Sequence, residues 1–387
     1  MRALHLADLH IYLSGPRAEE CRRILDWIPD NVRWEVKPDV IIVAGDVFER
    51  RSIPQERIFL AEFLRALSDV APVYLINGNH DDKDDLRLFR KEYGWAMPIE
   101  VVLNPGVVSC GGMTLAFLPW PELGLLAKAN GAKSIEARRE LARSALVDIL
   151  RGFQAHPLVG LDKPSLLVAH LSVTGASMDT GQPVTGGEDI ALSVDDLLTS
   201  GAAGVALGHI HLRQEMRCLD GRQVHYAGAP FRGSFGEATG TKGGLIWDWD
   251  GKAWRVTPWD VPARRMVLIE KTWTPPAEAD SEGLVFTPLA GADEVRDAEV
   301  RVRVTFPAEF REAMRAALAP ALDELRAAAH SMTVEERPMV VSRTRCAEIT
   351  AARTTAETLR AWARAVETDV PAGAESKLGI LEKEVGS

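Results

Sequence analysis

The sequence predicts an α/β protein of mixed sheets with flanking helices, followed by a small α+β domain. Four short apolar runs in the first half have the length and composition of buried strands: residues 3–7, 40–44, 73–76 and 166–169. Two segments between them carry apolar side chains at helical spacing: residues 18–33 and 55–68. Because strands that alternate with helices form sheets covered by helices, these segments predict a layered fold.

Tight turns mark further strands later in the chain. The dipeptides Asp220-Gly221 and Asp250-Gly251 are strong hairpin signals. Strand patterns lie on either side of them: residues 214–218, 223–227, 245–249 and 253–256. The pattern breaks near Pro258, and we therefore predict that a first domain spans residues 1–260.

The residues that follow predict a smaller α+β domain, which we place at residues 261–370. Strand patterns are present at residues 266–273, 299–306 and 339–343. A helix between them carries one apolar face: Phe310, Met314, Leu318, Leu322 and Leu325. Thr354 and Glu357 have the spacing of a capping box and predict the start of another helix.

That last helix is predicted to be amphipathic. Four apolar residues follow the i, i+3, i+4, i+7 spacing: Leu359, Trp362, Ala363 and Val366. In the tail, residues 371–387, a similar spacing of apolar residues is formed by Leu378, Leu381 and Val385. A tail this short cannot bury an apolar face within itself, so we expect it to dock on a partner protein as a helix in a groove. For the preceding helix, packing against the second domain is an equal alternative.

The composition excludes several classes of protein. The 387-residue chain is 46% hydrophobic and 26% charged, as in globular proteins, and no apolar run is long enough to span a membrane. Its four cysteines lie far apart: Cys21, Cys110, Cys218 and Cys346. This spacing argues against a thiolate zinc site and against a disulfide scaffold, and we expect a cytoplasmic protein.

The net charge of −10 is unfavourable for a protein that binds nucleic acid, because phosphate contacts usually need a basic surface. The charge is uneven, however. Residues 301–364 contain eleven arginines, no lysine and eight acidic residues, which gives a local charge of +3. Metal ions would also dominate the field at any site that binds them. The acidic total weakens a nucleic-acid function without excluding it.

Five short polar motifs follow predicted strands. They are Asp8-Leu9-His10, Gly45-Asp46, Gly78-Asn79-His80-Asp81, His170 and Gly208-His209-Ile210-His211. In open α/β sheets the loops beyond the carboxyl ends of the strands gather in one crevice, so these side chains are expected to meet. Each motif alone has an ordinary explanation as a turn or a hydrogen-bonded histidine. All five in this order predict a shared metal site.

The residue types suit a pair of divalent metal ions. Two carboxylates, one amide oxygen and up to four imidazoles form a mixed oxygen and nitrogen shell, which suits manganese, iron or zinc and not calcium. A single carboxylate such as that of Asp46 can bridge two ions with its two oxygens. Two ions held about 3.5–4 Å apart can activate water and clamp the attacked phosphate.

These motifs resemble those of the calcineurin-like metallophosphoesterases over residues 1–258. A further segment is similar to the signature of the SbcD-type nuclease subunits, the bacterial and phage counterparts of the eukaryotic double-strand-break repair nuclease. It consists of Tyr226-Ala227-Gly228-Ala229-Pro230, Gly233-Ser234-Phe235-Gly236-Glu237 and Lys242-Gly243-Gly244. The second domain is similar in layout, though not in motif, to that family's small capping domain.

The resemblance implies a metallophosphoesterase sandwich and a role for each motif. One metal would be held by Asp8, His10, Asp46 and His211, and the other by Asp46, Asn79, His170 and His209. His80 would bind no metal and would protonate the leaving oxygen; a protonated imidazole is a suitable general acid near neutral pH. Some relatives carry a second histidine where this chain has Glu49, which leaves the role of that position open, and a glycine-rich loop at residues 181–189 either borders the site or is a plain surface loop.

The activity implied by the resemblance is a two-metal DNA exonuclease or endonuclease in DNA end processing, repair or recombination. Its metals would be Mn²⁺. Its partners would be DNA and an SbcC-type, SMC-like ATPase, with a homodimer of this chain inside a heterotetramer. A phosphoesterase acting on phosphoproteins or small phosphodiesters is the alternative among enzymes, and a non-catalytic scaffold that keeps metals for stability is the alternative outside them. The segment 226–237 and the second domain favour the nuclease.

Overall fold

The computed structural model describes most of the chain in six long segments: residues 1–89, 96–121, 134–178, 190–274, 290–339 and 354–365, with short pieces at 368–370, 373–374 and 377–378. The chain divides into two compact units. The first consists of Met1–Leu268, Val295–Arg301 and Ala328–Ser331, and the second of Ile269–Glu294, Val302–Ala327 and Met332–Ser387. The predicted domain boundary near residue 260 and the capping role of the second domain stay predictions.

The first unit contains two six-stranded mixed sheets. Sheet one has the order β14-β13-β1-β2-β3-β4 and is formed by β1 (Arg2–Leu6), β2 (Val40–Ala44), β3 (Val73–Ile76), β4 (Ile99–Val102), β13 (Gly243–Trp249) and β14 (Trp254–Asp260). Strands β1 to β4 run parallel to one another, whereas β13 is antiparallel to both β1 and β14. The first three motifs therefore leave sheet one at the same edge.

Sheet two has the order β11-β12-β10-β7-β6-β5. Its strands are β5 (Gly106–Cys110), β6 (Met113–Leu118), β7 (Ser165–His170), β10 (Gly204–Gly208), β11 (Gln214–Glu215) and β12 (Gln223–Tyr226). Strands β6, β7, β10 and β12 are parallel to one another, with Gly208 opposite His170. A short pair, β8 (Ser172–Val173) and β9 (Ala191–Leu192), follows β7.

Helices cover the outer faces of both sheets. They are α1 (Ala18–Asn31), α2 (Pro54–Ser68), α3 (Lys83–Arg87), α4 (Ile135–Gln154) and α5 (Val194–Leu198), and a π-helical turn, Val32–Val36, continues α1. Side chains alternate along each strand, so Ile42 of β2 packs between the sheets while Ile41 and Val43 pack against the helices. The inner core joins Ala44 of β2 to Val168 of β7. This four-layer arrangement confirms the predicted α/β fold of mixed sheets with flanking helices.

The second unit contains most of a three-stranded sheet of order β15-β16-β17, and the first residues of each strand belong to the first unit: β15 (Met266–Thr272), β16 (Glu299–Pro307) and β17 (Ser331–Met339). Its helices are α6 (Ala292–Val295), which straddles the two units, α7 (Arg311–Ala328) and α8 (Thr355–Ala365). Val302, Val304 and Phe306 alternate with more exposed neighbours along β16 and are buried.

Several details of this unit differ from the sequence prediction. The predicted strand at residues 339–343 falls almost wholly outside the described residues, and Met339 instead ends β17. On α7, Met314, Leu318 and Leu325 are buried, whereas Phe310, just before the helix, is exposed. Oγ1 of Thr354 accepts the N–H of Glu357 at 3.2 Å and caps α8 as predicted.

No helix in the described parts of the chain is long and apolar enough to cross a membrane.

Candidate metal centre

The predicted site residues lie at or just beyond the carboxyl ends of five parallel strands. Asp8 and His10 follow β1, Asp46 follows β2, and Asn79 follows β3. The second sheet contributes His170, the last residue of β7, and the pair His209 and His211 after β10. Both sheets thus deliver side chains to one place because their parallel strands point in the same direction.

Asp46 lies between two groups of ligand-type side chains. Its Oδ2 is 3.6 Å from Nε2 of His10 and 3.4 Å from Nε2 of His170. Its Oδ1 accepts the backbone N–H of His80 at 2.9 Å. The carboxylate is only 2% exposed. This central position is the one that a bridging ligand requires.

The first group consists of Asp8, His10 and His211, whose candidate ligand atoms lie within 4.8 Å of one another. The Nε2 atoms of His10 and His211 are 2.9 Å apart. Asp8 is fully buried and accepts the backbone N–H of His209 at 2.9 Å, which ties the loop after β1 to the loop after β10. The three side chains converge on one point from two different sheets.

The second group consists of Asp46, His170 and His209, again with candidate atoms within 4.8 Å. Oδ1 of Asn79 lies 3.1 Å from Nε2 of His170 and 2.9 Å from Nδ1 of His209, and so joins this group. Nδ1 of His170 is 2.7 Å from the carbonyl oxygen of Ala44. Because a carbonyl only accepts, Nδ1 carries the hydrogen and the Nε2 lone pair of neutral His170 faces the centre.

The backbone at the centre adopts a conformation that side chains usually avoid. Among the described residues, six non-glycine residues have positive φ, and four of them belong to the predicted ligand set: Asp8 (53°), His10 (40°), Asp46 (49°) and His209 (102°). Such left-handed conformations cost roughly 1–2 kcal/mol each. Clusters of them are typical of functional sites.

The donor set and its burial fit divalent metal ions. Asp8 and Asp46 are buried, and within the described residues the ion-pair partners of Asp46 are imidazoles and not lysine or arginine. Burial opposes a charge on His170, but the carboxylate of Asp46 outweighs it and raises the pKa of that ring to about 9. Such a strongly negative pocket favours cations, since buried carboxylates are paired or coordinate metals.

Glu237 and Lys242 lie behind His211. Glu237 ends a 3₁₀ turn, Phe235–Glu237, and its Oε1 is 3.1 Å from Nδ1 of His211. Its Oε2 accepts Nζ of Lys242 at 2.8 Å, and both side chains of this pair are buried. Burial raises the pKa of Glu237, but His211 and Lys242 lower that pKa by a larger amount, so the carboxyl stays ionised. Both residues belong to the SbcD-like signature segment, and the sequence alone indicated no role for either.

Glu49 and His80 border the first group. Nδ1 of His10 is within 2.8 Å of Oε2 of Glu49, although the angle is not that of a hydrogen bond. Nδ1 of His80 is 2.7 Å from the carbonyl oxygen of Glu49, so neutral His80 keeps its Nε2 lone pair available. Atoms of His10, Glu49 and His80 form a third cluster within 4.8 Å. Glu49 thus lies where it contacts the proposed ligand His10.

Two further residues support the centre. The carboxylate of Asp81 accepts the backbone N–H groups of Gly78, Val47 and Phe48 at 2.8–3.1 Å, which fixes the Asn79 loop to the Asp46 loop. This tie cannot be predicted from the sequence, because the two loops meet only in the fold. Trp120 packs at ring-centroid distances of 5.2 Å from His209 and 6.0 Å from His170.

The predicted residues are therefore brought together, and the loop at residues 181–189 lies outside the described residues. Whether each side chain binds metal as predicted stays a proposal.

Residues 1–213 match the family model of the calcineurin-like phosphoesterases. The chain belongs to that family, whose members use divalent metals.

Among curated proteins, the chain is similar to the SbcD subunit of the nuclease SbcCD from Staphylococcus saprophyticus. The two are 28% identical over 256 residues, which is 63% of this chain and 64% of that protein. The match thus spans less than two thirds of the relative's length.

Two solved structures resemble the chain only distantly. The protein TT1561 of Thermus thermophilus aligns with 66% of this chain and 98% of its own at 13% identity, with a TM-score of 0.38. A Vps29 variant from Entamoeba histolytica aligns with 67% of this chain and 99% of its own at 12% identity, with a TM-score of 0.29. The family assignment rests on the match over residues 1–213.

Proposed function

We propose that this chain is the nuclease subunit of a DNA-processing complex and that it hydrolyses phosphodiester bonds with two metal ions, in DNA end processing, repair or recombination. The observation that supports this most is the position of Asp46, whose Oδ2 lies 3.6 Å from His10 and 3.4 Å from His170. One carboxylate thereby serves both groups of ligands. Two divalent ions, which we propose to be Mn²⁺, would activate water and neutralise the charge of the attacked phosphate.

Each side chain then has a proposed task. Asp8, His10, Asp46 and His211 would hold one ion, and Asp46, Asn79, His170 and His209 would hold the other. His80 is exposed, and its Nδ1 donates to the backbone carbonyl of Glu49, so Nε2, once the ring is protonated, can deliver a proton to the leaving oxygen. Asp81 and Glu237 hold the loops and the ring of His211 in place.

DNA is the proposed substrate because the similar curated protein is named a nuclease subunit. The alternative is a phosphoprotein or a small phosphodiester, since the same metal chemistry serves all of these substrates. The net charge of −10 does not favour DNA by itself, so the metals and local arginines would have to attract the backbone. We expect a preference for DNA ends or single strands.

The purified chain with Mn²⁺ tests the proposal on linear duplex DNA, single-stranded DNA and a phosphoserine peptide. We expect metal-dependent release of DNA fragments that a chelator abolishes. The Asp46→Asn variant, purified in the same way, should be inactive and so separates this activity from a contaminating nuclease. Hydrolysis of the peptide with none of DNA would favour the alternative.

We propose an SbcC-type ATPase as the partner, in a heterotetramer that contains a homodimer of this chain. The similar curated protein is named as one subunit of the nuclease SbcCD. On α8, Ala363 is buried while Trp362 remains 47% exposed, and Val366 lies outside the described residues. Truncation after Ala365 should leave DNA cleavage intact and weaken binding to the ATPase in calorimetry. Unchanged affinity would show that the partner docks elsewhere.

A further inference from the structure

A cavity of about 700 Å³ opens beside the first group of ligands in the first unit. Asp8, His10 and His211 form one wall. The other walls contain no proposed metal ligand among the described residues, and include Tyr12, Arg17 and Phe231. Its volume is that of a site for a small organic ligand.

Tyr12 presents a fixed aromatic ring to this cavity. The guanidinium carbon of Arg50 lies 4.6 Å from the centroid of that ring. Arg50 is held in turn by the fully buried Glu56, through bonds of 3.0 and 3.2 Å to its two oxygens. Glu56 also accepts the backbone N–H of Leu13 at 3.1 Å, next to Tyr12 in the chain. The ring is therefore fixed before any ligand arrives, and a fixed ring is a stacking platform for a nucleobase.

Arg17 supplies a cation to the same cavity. Within the part of the chain that the structure describes, its guanidinium has no acidic partner, whereas Arg50 is paired with Glu56. The carboxylates that line the cavity are committed elsewhere: Asp8 to the metal centre, Glu49 to His10, and Glu237 to His211 and Lys242. A guanidinium without an acid binds phosphate well, because its planar fork matches the phosphate oxygens.

We propose that this cavity is a nucleotide subsite, in which Tyr12 stacks on the base next to the scissile bond and Arg17 binds the neighbouring phosphate. The inference rests on the proposed nuclease function and deepens it by naming the part of the substrate that is recognised. Every base has a face that can stack, so the subsite accepts any base and requires it to be unpaired. The substrate is thus a single strand or a frayed end.

The stacking contact is tested by kinetics on a short single-stranded oligonucleotide with Mn²⁺. Tyr12→Ala should raise KM about tenfold, and Tyr12→Phe, which keeps the ring, should restore the wild-type value. A second oligonucleotide carries abasic sites next to the scissile bond. On it the wild-type chain loses the same contact, so the difference between wild type and Tyr12→Ala should disappear.

The phosphate contact is tested in the same way with Arg17→Met. This variant should raise KM for the oligonucleotide several-fold and reduce the salt dependence of binding. A substrate with a neutral methylphosphonate in place of the neighbouring phosphate should remove the difference from wild type. Arg33→Met, which removes an exposed arginine outside the cavity, is the matched control and should leave KM unchanged.

The outcomes separate this proposal from the proposed function. If the wild-type chain hydrolyses bis(4-nitrophenyl) phosphate with Mn²⁺ but no oligonucleotide, the nuclease function fails and the subsite with it. If the wild type cleaves the oligonucleotide and both Tyr12→Ala and Arg17→Met keep its KM, the subsite alone is overturned. An equal loss on intact and modified oligonucleotides also overturns the subsite, since it would reflect a general structural defect.

Discussion

Oε1 of Glu237 lies 3.1 Å from Nδ1 of His211, on the opposite side of the ring from His10. The carboxylate accepts the Nδ1 hydrogen and so directs Nε2 towards the centre. Lys242 offsets the buried charge of Glu237 at 2.8 Å. A histidine that binds metal through one nitrogen and a carboxylate through the other is a recurring arrangement in metalloproteins.

Replacing Glu237 should therefore weaken metal binding. Glu237→Gln should lower the affinity for one of the two metals by about 10–100-fold, the usual effect of losing such a partner. Titration with Mn²⁺ by calorimetry would show one weakened and one unchanged site. Glu215→Gln removes an exposed carboxylate on β11 and should change neither. Two unchanged sites in Glu237→Gln would refute the positioning role.

Asp46→Asn should affect both metals together, because the carboxylate lies between the two ligand groups. The amide of asparagine is uncharged and has only one acceptor oxygen, so it would hold a divalent ion less well than the carboxylate. We expect lower metal content and loss of hydrolysis. Elemental analysis of the purified variant checks this, and a normal metal content would rule out Asp46 as the bridging ligand.

His80→Ala should keep both metals and lose most of the activity. Its ring borders the centre, 5.0 Å from that of His10 between centroids, without belonging to either main ligand group. The loss of a general acid costs about 10²–10⁴-fold in rate. Single-turnover kinetics with saturating Mn²⁺ would measure it, and His156→Ala, at a histidine that follows α4, is the control. A wild-type rate in His80→Ala would remove His80 from the mechanism.

Metal binding should weaken in acid. Burial opposes a charge on His170 and His211, but Asp46 outweighs it at the first ring and Glu237 with Asp8 at the second, and both pKa values rise to about 9. An imidazole binds metal only when neutral, so protons compete with Mn²⁺ below these pKa values. Apparent affinity should rise as the pH approaches about 9, with proton release. Calorimetry in buffers of different ionisation enthalpy would count the protons; a pH-independent affinity would contradict this.

Gly78→Ala should damage the centre without touching a proposed ligand. A Cβ on Gly78 would collide with Oδ1 and the backbone N of Asp46. We expect lower metal occupancy and a lower Tm. A Cβ on Gly152 in α4 would meet nothing within 4 Å, so Gly152→Ala should raise Tm slightly through helix propensity. Equal Tm changes in the two variants would show that the contact at Gly78 is relieved at no cost.

The pattern of apolar residues along the chain predicted the elements that show a clear apolar run or period. Strands β2 and β3 were predicted to the residue, because each is a short and continuous apolar run. The 20-residue helix α4 and strands β4 to β6 were not predicted. Strand β5 is only partly buried and α4 is largely charged on its outer face, so neither carries a clear period.

The ligand-type residues could be predicted because each follows a strand, and parallel strands share one edge. Contacts between loops that are distant in sequence could not be predicted in this way. Asp81 and Asp85 lie in an acidic run of the sequence, yet Asp81 ties two loops together and Asp85 is buried and accepts the backbone N–H of Ser52 at 2.8 Å. Their partners lie about thirty residues away, at Val47, Phe48 and Ser52.

The positive φ angles at Asp8, His10, Asp46 and His209 lower the stability of the fold, whereas the side chains at these positions are the proposed metal ligands. Each of these residues would relax if it were glycine, at a gain of roughly 1–2 kcal/mol, against a total stability of about 5–15 kcal/mol for a typical protein. A directed-evolution experiment that rewards only heat resistance should therefore accumulate substitutions at these four positions. The selected variants would be more stable to heat but would no longer bind metal, so any such selection needs a second screen for catalysis.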